Sequence, residues 1–65
     1  MKRIVLIRHL SKNGCELLRE GGRHSIWRNR YTGEMVAVPR HSEIKEGMAG
    51  KICKDLGIIP PAKKP

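Results

Sequence analysis

A chain of 65 residues with 14 Lys and Arg against 6 Asp and Glu carries a formal charge of +8, with 38% hydrophobic and only 3% aromatic residues. A domain near 60 residues buries only about 60% of the surface its unfolded chain exposes, which allows one small core and excludes a dinucleotide fold, a barrel or a two-domain cleft. The longest apolar run, Ile4 to Ile7, is closed by Arg8 and His9. It is far short of the ~20 residues of a membrane span or the ~7–15 of a signal-peptide core, so a soluble, cytoplasmic chain without a cleaved leader is expected.

Ile4, Ile7 and Leu10 recur at three-residue intervals with Leu6 beside them, while Lys2, Arg8 and Lys12 lie off that stripe. This is the pattern of an amphipathic helix over Ile4–Lys12, with Asn13-Gly14 supplying a left-handed residue to end it. Cys15–Glu20 and Ser25–Asn29 hold Leu17, Leu18, Ile26 and Trp27 and are parted by Gly21-Gly22, which predicts two antiparallel strands about a glycine turn. After a turn at Tyr31-Thr32-Gly33, Glu34–Val38 forms a third strand, with Val36 and Val38 on one face, Met35 and Ala37 on the other, and Pro39 expected to stop its ladder pairing. In Glu46–Leu56, Met48, Ile52 and Leu56 recur every fourth residue beside Ala49 and Cys53, while Lys51, Lys54 and Asp55 face water and Gly57 caps a second helix. Gly50 inside that helix costs about 1 kcal/mol relative to Ala and either weakens it or marks close packing.

The order α-β-β-β-α specifies an α+β domain over residues 1–58, a three-stranded antiparallel sheet with both helices on one face and the other face free. Residues 59–65, rich in Pro and Lys, are expected to form a loose tail. His24 and Ile26 share a side of a regular strand, so an inward Ile26 would carry His24 inward too. Either a bulge or the glycine turn rotates His24 outward, or Trp27 replaces Ile26 as the core residue. The area of the lone tryptophan favours at least half-burial of Trp27.

Strong positive charge on a small domain is the footprint of a negatively charged partner, nucleic acid foremost and anionic membrane second. With only Trp27 and Tyr31 as rings, a base-stacking platform is disfavoured, and contact with a phosphate backbone is the better expectation. Cys15 and Cys53 stand among apolar neighbours and read as small buried hydrophobes, not as a disulfide framework. Arg3 to His9 superficially resembles the strand that delivers the nucleophile of histidine phosphatases. Leu10, however, stands where that motif has glycine, and that fold needs a far longer chain. His9, His24 and His41 are widely separated and the cysteines are not paired in sequence, so no metal site is expected. Ser11, Ser25 and Ser42 lack a nucleophile elbow. What remains is Gly21-Gly22-Arg23-His24-Ser25, a histidine beside an arginine at a loop-to-strand junction, where an imidazole can exchange protons near neutral pH. Alone, the motif reads more readily as an exposed turn histidine.

A longer pattern runs through the chain: a basic helix ending Lys12-Asn13-Gly14, Gly22-Arg23-His24, Ile26-Trp27-Arg28, the Gly33 turn, Val36-Ala37-Val38-Pro39, His41 through Glu46-Gly47, and Ile52-Cys53-Lys54-Asp55-Leu56-Gly57-Ile58. From about Ile4 to Ile58 it resembles the HicA toxin family in order and spacing. The resemblance implies a fold similar to double-stranded RNA-binding domains. It also implies a ribosome-independent mRNA interferase of a type II toxin–antitoxin system, silenced by a HicB antitoxin, with no cofactor and no metal, and monomeric when free. The family's catalytic histidine falls on His24. Three positions depart from the pattern: Arg23 stands where serine is frequent, Gly47-Met48 where Gly-Thr opens the last helix, and Cys15 where a large aromatic is common.

Metal-free RNA cleavage by the 2′-hydroxyl needs a base, an acid and positive charge for the phosphorane. His24 is expected to carry one proton, Arg23 and Arg28 to contact phosphate oxygens, and His41 to be a candidate second acid or base. Lys12, Arg30, Lys51 and Lys54 would hold the RNA backbone. Two other readings stay open: a non-catalytic double-stranded-RNA-type binding module, and an inert basic domain for an acidic protein partner.

Overall fold

The periodicities are realised in the expected order. The computed structural model describes residues 1–61, in which α1 (Arg3–Lys12), β1 (Cys15–Glu20), β2 (His24–Asn29), β3 (Met35–Pro39) and α2 (Glu46–Asp55) follow one another. The strands form one antiparallel sheet in the order β1-β2-β3. Leu6 and Leu10 of α1, Trp27 and Val38 of the sheet, and Ala49, Ile52 and Cys53 of α2 share a single buried cluster, closed by Ile44 and Leu56. One cluster fed by both helices requires that they cover the same sheet face. Of the expected tail, residues 62–65 lie outside the described residues.

Several local expectations are corrected. The buried stripe of α1 is Leu6 and Leu10, one turn apart, while Ile4 is 55% exposed. A three-residue interval drifts off a 3.6-residue helix, whereas a four-residue interval stays close to one line. Ile52 of α2 and Leu56 just after it are buried, but Met48 is exposed and lines the cavities beside His24 and Pro39 instead of joining the core. Pro39 does not stop the ladder: it is the last residue of β3 and pairs with His24. An edge strand tolerates this, since its outer N–H positions need no partner in the sheet. In β1 the register slips between Leu17 and Arg19, a bulge that leaves Leu17 and Leu18 exposed.

Gly57 has φ +73°, as the end of α2 requires, and its N–H donates to the Lys54 carbonyl at 3.0 Å. Gly50 does not mark close packing: a Cβ there would meet nothing within 4 Å. Gly50→Ala is therefore expected to stabilise the domain by roughly 0.5–1 kcal/mol, raising the melting temperature by about 4–8 °C per kcal/mol, as calorimetry would read. Cys15 and Cys53 are both buried free thiols, and burial pushes both upward in pKa, with Cys15 adding to the rise at Cys53. They serve as small core side chains.

Candidate active site

His24 opens β2 because the hairpin before it is tight. Gly21 N donates to the His24 carbonyl at 2.8 Å, leaving Gly22 and Arg23 as the tip. A Cβ on Gly21 would stand 2.8 Å from that same oxygen, so a side chain there would push the hairpin open. Alternation along β2 then sets the directions: Ser25, Trp27 and Asn29 are buried, while His24, Ile26 and Arg28 fall on the other face. Trp27, 6% exposed, is the core residue, and His24 is exposed.

His24 lines a cavity of about 660 Å³ together with Arg23, Pro39, Arg40, His41 and Met48. His41 is brought there by the segment between β3 and α2, which backbone bonds staple to the start of the chain. Arg3 N donates to Ser42 O at 2.9 Å and Ile44 N to Met1 O at 2.7 Å, and Lys2 bridges Glu43. Arg40 is fixed at the rim, with its Nη1 donating to Gly21 O at 3.0 Å and standing 3.8 Å from Glu20 Oε2. Its backbone N–H donates to the Arg23 carbonyl at 3.2 Å, tying the hairpin tip to the end of β3.

Beneath this rim lies a polar clamp. Ser25, fully buried, donates its hydroxyl to Glu20 Oε1 and accepts from Arg3 Nη2 at 2.8 Å, while Arg3 Nε donates to Pro39 O at 2.9 Å. Arg3 thereby grips both strands beside the His24–Pro39 pair. The Ser25 hydroxyl is occupied under the sheet and does not replace the serine that Arg23 displaces. Arg3→Met is expected to cost about 1–3 kcal/mol, because the buried Ser25 hydroxyl and the Pro39 carbonyl each lose a donor. A double-mutant cycle with Ser25→Ala should show coupling in thermal melts, and strict additivity would remove the clamp.

The remaining predicted residues are dispersed. Arg28 shares the His24 face but lies four residues along the strand, roughly 13 Å away at ~3.3 Å per residue. Its guanidinium is held by Glu16 Oε2, at 2.5 Å from Nη2 and 3.1 Å from Nε. Lys12 lies at the end of α1 and Arg30 just past β2, where its N–H donates to Gly14 O at 3.1 Å, so both are at the far end of the sheet from His24. Lys54 is exposed on α2. Lys51 joins His24 in lining a second cavity, of about 310 Å³. Arg40 and Arg3 were not singled out from the sequence. For Arg40 a signal existed in its place between the Val-x-Val-Pro strand end and His41, but Arg3 needed the tertiary contact.

Two imidazoles and two guanidiniums thus line one concavity, and no carboxylate is among its lining residues. Such a site attracts an anion and can move protons at it. No helix among the described residues is long and apolar enough to cross a membrane. No curated protein and no solved structure matches the chain. Residues 5–58, most of the chain, match the family described as HicA toxin of bacterial toxin-antitoxin. With the α-β-β-β-α order and Gly22-Arg23-His24 at the mouth of a basic cavity, the chain belongs to the HicA toxin family of bacterial toxin–antitoxin systems.

Proposed function

We propose that this toxin is a metal-independent endoribonuclease that cleaves single-stranded mRNA in the cytoplasm. The observation that carries the reading is the meeting of His24 and His41 with Arg23 and Arg40 in one cavity. In the reaction, one imidazole takes the proton of a ribose 2′-hydroxyl and the 2′-oxygen attacks the adjacent phosphorus. The P–O5′ bond breaks and the other imidazole returns a proton to the leaving 5′-oxygen. The guanidiniums of Arg23 and Arg40 stabilise the charge gathered on the phosphorane oxygens. Products are a 2′,3′-cyclic phosphate and a 5′-hydroxyl. Lys51 lies close enough to contact the RNA at this site, whereas Arg28, Lys12, Arg30 and Lys54 would hold its backbone further along, in a salt-sensitive and sequence-tolerant way. A HicB-type antitoxin with an acidic contact surface would silence the monomeric toxin by covering this face. Incubating the purified chain with a long single-stranded RNA in EDTA tests the reading: fragments ending in cyclic phosphate support it, and intact RNA overturns it.

A further inference from the structure

His24 is a wall of two cavities. The first holds Arg23, Arg40 and His41; the second, about 310 Å³, runs between β3 and α2 and is lined by His24, Ala37, Met48, Lys51, Ile52 and Asp55. The cavities share His24, Pro39 and Met48, so anything bound across them passes along these three residues. Val36 and Ala37 both line the second cavity although neighbours in a strand point to opposite faces, which places it at the free edge of β3.

Charge separates the two. The first cavity is cationic. The second is floored by Ala37, Met48 and Ile52, and at its rim Lys51 Nζ stands 3.4 Å from Asp55 Oδ2. A carboxylate at the mouth repels a phosphate, but an acceptor beside a donor matches the mixed edge of a nucleobase, and the apolar floor suits its ring faces. The volume is at the small end of ligand pockets, which run from about 300 to 1,000 Å³, and fits a single planar group. Sequence-specific RNA recognition commonly splays an unstacked base into such a pocket and reads its hydrogen-bonding edge.

We propose that the β3–α2 cavity is a nucleobase subsite: it receives the base next to the phosphate held by Arg23 and Arg40, with Lys51 and Asp55 reading its edge. The inference rests on the nuclease reading for its biological meaning, but its first test does not depend on cleavage. The wild-type protein is titrated with a nucleoside 3′-monophosphate and, separately, with ribose phosphate, and the methyl resonances of Ala37 and Ile52, which line the second cavity and not the first, are followed. The nucleotide is expected to shift both and ribose phosphate neither, whereas equal responses to the two ligands overturn the subsite. In the second test, cut sites on one long RNA are mapped for wild type and Asp55→Asn. Hydrogen-bond readout of a base gives roughly 5- to 150-fold discrimination, so the wild-type preference for the base beside the cut should weaken on that scale in the variant. An unchanged cut-site pattern overturns the subsite while leaving the nuclease intact. Intact RNA with the wild type would instead strike at the nuclease reading.

Discussion

His24→Ala is expected to lower the rate of RNA cleavage by about 10²–10⁴-fold, the usual contribution of one positioned proton carrier. His24 is exposed at the start of β2, so the substitution leaves no core cavity, and surface changes of that kind shift stability by no more than about 0.5 kcal/mol. A melting curve that overlays the wild type, together with lost cleavage in single-turnover assays, is the expected pair of results. Cleavage at the wild-type rate would remove His24 from the mechanism. His41→Ala makes the reading sharper. If the two imidazoles act as one machine, the double substitution should cost little more than the worse single one, since groups that act as a unit are grossly non-additive. Full additivity of the two losses would mean that His41 works elsewhere.

Trp27→Ala is expected to have the largest effect on the fold. Removing a buried Trp costs about 3–5 kcal/mol, and a domain of this size, at ~0.05–0.15 kcal/mol per residue, has roughly 3–10 kcal/mol in total. The variant should lose most of its stability and melt far below the wild type by circular dichroism. The Trp27 Nε1 is buried and has no hydrogen-bond partner among the described residues. Trp27→Phe discards that unsatisfied donor while retaining an aromatic ring, so its loss should be clearly smaller than that of the alanine variant. An alanine variant that melts with the wild type would show that the core does not depend on this residue.

These two residues also show how far the sequence can be read. The alternation of β2 puts Trp27 and His24 on opposite faces and the area of the lone tryptophan favours Trp27 as the buried one, but the outward direction of His24 is decided by the structure, where the strand is regular from His24 onward. The element order followed in the same way from periodicity and from Gly14, Gly21 and Gly57, whose backbone demands no other residue meets cheaply. Where the pattern was read by interval alone it erred: Ile4 and Met48 belong to their apolar series yet are exposed, since burial depends on what lies opposite. Pro39 was read as a barrier to pairing, although on an edge strand its missing N–H faces no neighbour.

The buried polar residues were not visible at all. Asn29 is 4% exposed and donates through Nδ2 to Leu56 O at 2.7 Å, while its Oδ1 accepts from Tyr31 N at 2.9 Å. That residue joins the β2–β3 turn to the end of α2, but in sequence it is only a polar residue before a turn. The sequence by itself determined the fold class, the family and the histidine at the hairpin, because local period, turn chemistry and motif spacing are properties of neighbouring residues. The tertiary structure alone decided that His41 and Arg40 join Arg23 around His24, that Arg28 is drawn off by Glu16, and that an apolar cavity with a Lys51–Asp55 rim adjoins the imidazole. Those contacts join residues far apart in the chain, and their positions are set by where the sheet edge, α2 and the stapled segment before it come to rest.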